Sequence, residues 1–173
     1  MGVYPVIAEE FDQVTAVFYN PNIAPEDEYR RRRDTCAEYA AAQGIDFFEI
    51  CPLDDARMGS RQIGDQGLAR CSACYQLRLG RVAAWAIEHD CDAFATTLSI
   101  SPWQNLEAIN RVGEDTQKAF GRLHFAKRDF RAYYREAQKM ARSLGVYRQN
   151  YCGCLPSKTE ADEQRAAKRN IRK

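Results

Sequence analysis

The sequence is poor in the groups that serve most acid–base and metal chemistry. It has two histidines, His89 and His124, and neither stands at ligand spacing from a cysteine. It contains no phosphate-loop motif, no glycine-rich dinucleotide fingerprint and no HExxH helix. A serine-hydrolase elbow is also absent. No apolar run approaches the roughly 20 residues that cross a bilayer. The opening MGVYPVIAEEF has neither the basic nor the long apolar segment of a signal peptide. Val6 at the sixth position breaks the myristoylation pattern that Met-Gly would begin. A cytoplasmic protein with no membrane partner is expected. Charge of one sign is not in excess either. The formal net charge is +1, so the whole chain is no general polyanion binder. Arg30 to Arg33 and the tail from Lys158 to Lys173 read first as solvated surface, and more sharply as phosphate-contacting patches.

Cysteine is what the sequence has in quantity, with seven in 173 residues. An odd number without a secretion signal argues against a disulfide framework and for metal or redox chemistry. Cys71 and Cys74 form CSAC directly before the helical pattern YQLRLGRVAAWAIEHD. That spacing predicts two thiols at a helix N-terminus, where the dipole favours thiolates. Zinc, an iron–sulfur cluster and a dithiol switch all use such a pair. Cys152 and Cys154 form CGC, in which Gly153 frees the backbone so that both sulfurs can turn to one side. They read as a ligand pair or as a labile disulfide that stores two electrons. Cys36 shares a helical face with Tyr29 and Ala40 and reads as a small buried apolar residue. Cys91 opens a strand and reads as structural. Cys51 closes one, at the carboxyl end where parallel sheets place their sites.

Strand-like and helix-like segments alternate. VTAVFY, IDFFEI, DAFATTLSI and RLHFA read as four strands. Between them lie a helix opened by Pro25 and closed by Gly44, one with Leu79, Val82, Ala83 and Ala86 on a face, and one with Leu106, Ile109 and Gly113. Tyr133, Ala137, Met140 and Leu144 predict a fourth helix. The fold expected is α/β, a mostly parallel sheet with flanking helices. One domain is expected over residues 1–156, followed by a charged tail over 157–173. Residues 54–70 read as a long polar loop. The chain opens on a helix, VYPVIAEEF, where a parallel sheet would open on a strand, so the first strand of the fold is expected to be absent. Tyr19, Asn20, Asn22, Ser99, Ser101, Trp103 and Asn105 follow predicted strands. With Tyr151 they outline one pocket, in which Trp103 and Tyr151 could stack on a nucleobase.

VFYNPNIAPEDEYRRR, ARCSACYQLRLGRVA, FATTLSISPWQN and YRQNYCGC, in this order and spacing, resemble successive blocks of the QueH family of epoxyqueuosine reductases. The resemblance runs from about Tyr4 to Pro156. It implies a nucleotide-binding-type α/β fold of HUP or PP-loop kind. It implies reduction of the epoxide of epoxyqueuosine to queuosine at the wobble position of tRNA, with electrons from a donor the sequence does not name. It implies a 4Fe-4S cluster ligated by Cys71 and Cys74, a redox-active dithiol at Cys152 and Cys154, and an additional iron beside them. It also implies a preceding strand ending in a CCxPC cluster, two of whose cysteines would complete the ligand set. This chain is expected to begin after that segment.

Two readings of other classes stand beside this one. Cys71, Cys74, Cys152 and Cys154 could be the four tetrahedral ligands of a noncatalytic zinc module. A thiol-dependent tRNA-modifying enzyme is the other. Within the reductase reading, Asp129 in KRDFR is a weak candidate for proton donor.

Overall fold

A computed structural model describes residues 2–50 and 67–171. Cys51 and most of the predicted 54–70 loop lie outside the described residues.

A short helix, α1 (Tyr4–Ala8), leads into strand β1 (Thr15–Phe18). The long helix α2 (Glu26–Gln43) then crosses to β2 (Asp46–Glu49). These strands pair in parallel from Thr15↔Asp46 to Phe18↔Glu49. Helix α3 (Gly67–Glu88) leads to β3 (Ala93–Phe94), a single 3-10 turn (Thr97–Ile100) and helix α4 (Leu106–Phe120). Strand β4 (His124–Phe125) pairs in parallel with β3. A second 3-10 turn (Arg131–Tyr133) runs into α5 (Tyr134–Ser143), and α6 (Leu155–Ile171) is the last helix. The expected alternation is present, with every described pairing parallel and every crossover helical. No strand precedes α1 among the described residues.

Each crossover has a local cause. Glu26, Asp27 and Glu28 fill the first turn of α2, where the helix dipole favours anions. Asn105 caps α4, its side chain accepting from the Ala108 amide at 3.0 Å. The main core lies between α3, α4 and the β3–β4 pair, built on Tyr75, Leu79, Ala83, Trp85, Ile109 and Phe125. α4 comes so close that a Cβ on Gly113 would run into the Phe125 ring. Burial of each large side chain here is worth about 1.5–3 kcal/mol.

Two expectations are corrected, on DAFATTLSI and on Cys36, while the helix expected from Tyr133, Ala137, Met140 and Leu144 is present as α5. DAFATTLSI is a strand only at Ala93–Phe94, because the Thr96 hydroxyl then accepts from the Leu98 amide and starts a 3-10 turn. The Tyr133, Met140 and Leu144 face of α5 lies largely in solvent, and Ala141 is the buried residue of that helix. Cys36 is exposed rather than buried. The predicted tail is helix α6, and Arg70 reaches Glu160 on it at 3.7 Å.

Candidate active site

The loop after β1 is the floor of the site. Asn20, Asn22 and Ile23 are buried there, directly beyond the carboxyl end of a parallel strand, where open α/β sheets place their sites. The CGC segment lies on this loop. The Ala24 amide donates to the Gly153 carbonyl at 2.9 Å, and the Tyr151 hydroxyl donates to the Ala24 carbonyl at 2.6 Å. Gly153 has φ +132°, and a Cβ there would meet Ile23 Cγ1 at 2.9 Å and Arg32 Nη1 at 3.3 Å. Only glycine satisfies both the left-handed backbone and the close approach.

Helix α2 fixes the segment from the other side. Arg32 donates from Nη1 to the Cys152 carbonyl and from Nη2 to the Tyr151 carbonyl, both at 3.0 Å. Its guanidinium also lies over the Tyr151 ring, 4.8 Å from the centroid. Glu28, one turn earlier, pairs with Arg32 Nε at 2.7 Å, and the two side chains are 9% and 7% exposed. The Tyr147 hydroxyl donates to the same carboxylate at 2.7 Å. Buried charges are tolerated when paired and hydrogen-bonded in this way. The RRRR run therefore serves the fold. Arg30 pairs with Glu26, Arg33 with Asp34 and Glu49, and Arg31 covers the Tyr147 ring.

Cys152 and Cys154 are free thiols with sulfurs 3.6 Å apart. Cys154 immediately precedes α6, and its carbonyl accepts from the Lys158 amide at 3.1 Å. Ser157 Oγ lies 2.9 Å from Cys152 Sγ. Hydrogen bonding from Cys154, with Ser157 and the Cys154 backbone adding to it against burial, brings the Cys152 thiol down to about 6. The same bond and burial push Cys154 up. One thiol is thus set to ionise and the other to keep its proton.

Cys71 and Cys74 lie on α3, within electrostatic reach of this pair. The Asn22 side-chain amide donates to Cys74 Sγ at 3.2 Å. Burial pushes Cys71 up, opposed by Arg70 and reinforced by Cys154 and Cys74. Cys74 in turn raises Cys152, an influence that only nearby groups exert. The expected placement at the helix N-terminus is corrected. α3 is already helical at Gly67, so Cys71 lies a turn inside it. Burial rather than the dipole governs that thiol. Among the described residues, no group of three or more His, Cys, Asp or Glu is close enough to hold a metal ion. The four thiols therefore form no tetrahedral cage among the described residues.

Tyr75 was not singled out in the sequence. It lies one turn beyond Cys71, is 3% exposed, and donates its hydroxyl to Gln104 Oε1 at 2.7 Å. Burial, with the nearby Cys71 charge, raises its phenol to about 12. Its helical spacing from Cys71 in CSACY was the available signal. Asn22 Oδ1 is buried without a partner, an acceptor left open beside Cys74. Asp129 does not fit a proton donor. It is ion-paired with Arg131, whose hydrogen bonds bring its carboxyl to about 2. Trp103 and Tyr151, the two aromatics expected to line one pocket, stand in different surroundings. Arg32 covers the Tyr151 ring, while Trp103 is 77% exposed and packs edge-on against Tyr134. His89 stacks on Trp85 at 4.0 Å, a packing role. Cys91 packs against the main core.

The family model for the epoxyqueuosine reductase QueH matches residues 2–160. The chain belongs to the QueH family. The QueH epoxyqueuosine reductase of Thermotoga maritima is 34% identical over 157 residues, covering 86% of this chain and 81% of that protein. That of Streptococcus pyogenes serotype M1 is 35% identical over 157 residues, covering 84% of this chain and 61% of that one. That of Dehalococcoides mccartyi is 32% identical over 149 residues, covering 85% and 80%. QueH proteins are, by that name, oxidoreductases. No helix among the described residues is long and apolar enough to cross a membrane.

Proposed function

We propose that this chain reduces epoxyqueuosine to queuosine in the anticodon loop of tRNA, with Cys152 and Cys154 as its two-electron store. The reading is carried by the CGC pair, held 3.6 Å apart and differentiated into one acidic and one basic thiol. The balance is simple. Both C–O bonds of the epoxide break, its oxygen leaves as water with two protons and two electrons, and a double bond forms between the two ring carbons that carried it. The thiolate–thiol pair supplies both electrons and, from Cys154, one proton as it closes to a disulfide, and the second proton comes from solvent. An external donor then restores the dithiol. Tyr75, a buried neutral phenol beside the thiols, is suited to hold a proton near the departing oxygen. The open Asn22 Oδ1 is suited to accept from a hydroxyl of the modified base.

Cys71 and Cys74 would hold a 4Fe-4S cluster, with further ligands from outside the described residues. When bound, the cluster supplies one-electron transfer and, with an additional iron, Lewis acidity toward the epoxide oxygen. The parallel strand pairs are proposed to be part of a HUP- or PP-loop-type sheet, whose switch point holds the base. The test is nucleoside mass spectrometry of tRNA bearing epoxyqueuosine after incubation with anaerobically reconstituted protein. Queuosine should appear with wild type and not with Cys152→Ala of equal melting temperature. Equal conversion by Cys152→Ala removes the dithiol from the reaction.

A further inference from the structure

Most cations described in this chain already have a carboxylate. Arg30, Arg32, Arg33, Arg111, Lys118, Arg122, Lys127, Arg128, Arg131, Lys158 and Arg165 are ion-paired. One groove departs from this. Tyr134, Arg135, Gln138, Lys139, Arg142 and Arg148 line a surface depression of about 410 Å³. No carboxylate lines it. Arg135, Lys139 and Arg142 recur at i, i+4 and i+7 and so share one face of α5. Glu136, the acid of that helix, is displaced about 100° around the axis. Four cations gathered without counter-charge repel one another, so the surface is complementary to a polyanion.

A second observation points to the kind of polyanion. Tyr134, which lines the groove, packs edge-on against Trp103 at 5.4 Å. Trp103 is the most exposed large hydrophobic residue described, at 77%. A tryptophan presented this way beside unpaired cations is the arrangement that stacks an unpaired base while its backbone is held. Chain neighbours also connect residues of the groove with residues of the thiol site. Gln104, next to Trp103, accepts from Tyr75. Arg148 lies four residues before Cys152.

We propose that this groove holds the phosphate backbone of the RNA substrate, with Trp103 stacked on an unpaired base beside it. The proposal rests on the tRNA reading and adds to it the surface that positions the strand. The test is fluorescence anisotropy of a labelled anticodon stem-loop RNA with the full chain, between about 50 and 200 mM KCl. Replacing Arg135, Lys139 and Arg142 together by Gln should weaken binding about 10–100-fold and flatten the log–log salt slope by about 2. Arg111→Gln with Lys118→Gln, which removes two paired cations, should leave the slope unchanged. Trp103→Ala should weaken binding about tenfold with the slope kept. Melting temperatures establish that each variant is folded. If wild type binds and the triple variant binds with the same slope, the groove is overturned and the tRNA reading stands. If the paired-cation control loses as much slope as the triple variant, the groove is likewise overturned. If wild type shows no salt-dependent RNA binding, both fall.

Discussion

Arg32 on α2 donates to the carbonyl of Cys152, 120 residues along the chain, at 3.0 Å. The same guanidinium is paired with Glu28 in a nearly solvent-free setting. The CGC loop near the end of the sequence is thereby fixed to the first crossover helix. Removing the cation leaves the Glu28 carboxylate buried with only the Tyr147 hydroxyl against it. Arg32→Met should cost about 3–5 kcal/mol by chemical denaturation. Arg32→Met with Glu28→Leu should cost clearly less than the single change, because no lone charge remains. A single change that costs under about 1 kcal/mol contradicts a buried pair.

Cys152 should be the reactive thiol of the dithiol form. With its pKa near 6 and the ordinary cysteine value at 9.0, about nine-tenths of it is thiolate at pH 7. The rate of iodoacetamide labelling, resolved by peptide mass spectrometry, should rise through pH 6 and level off above it. Cys154, raised in pKa, should label slowly throughout. Cys154→Ser weakens the donor that lowers Cys152, so the midpoint should move upward. A labelling midpoint for Cys152 near 9 in wild type excludes this division of roles.

Gly153→Ala tests the backbone. The left-handed φ and the clash with Ile23 should destabilise the protein by about 1–3 kcal/mol. The Ala24–Gly153 amide bond should also loosen, which faster hydrogen exchange at Ala24 would report. An alanine variant as stable as wild type, with unchanged exchange, contradicts the fit described for this glycine.

Tyr75→Phe separates packing from proton handling. The ring stays, so stability should fall by only about 1 kcal/mol, the worth of the bond to Gln104. Queuosine formation should fall about a hundredfold if the phenol holds the proton that leaves with the oxygen. Unchanged turnover assigns Tyr75 to packing alone.

The parts of this site legible in the sequence were those written in local chemistry. CSAC and CGC stand out by spacing, and NPN after VTAVFY marks the strand end that places Asn22. What sequence could not supply was distance. Arg32 reads as one of four solvated arginines until α2 is seen to lie against a segment 120 residues away. Tyr75 carries no signal in sequence beyond its spacing from Cys71, and its hydroxyl is placed only by the fold, on Gln104. Asp129 looked available because Arg131, two residues on, gives no sign in sequence of closing back on it. The α5 periodicity was correct, but period alone does not say which face another element covers.

The central claim is that Cys152 and Cys154 deliver the two electrons. The most direct measurement is a single turnover: anaerobically reconstituted, fully reduced protein mixed with excess tRNA bearing epoxyqueuosine and no other reductant, followed by nucleoside and intact-protein mass spectrometry. The account predicts about one queuosine per chain, the yield of one two-electron couple, together with loss of two hydrogens localised to the Cys152–Cys154 peptide. Queuosine formed while both cysteines remain free thiols, or no queuosine from protein with a full set of reduced thiols, would contradict it.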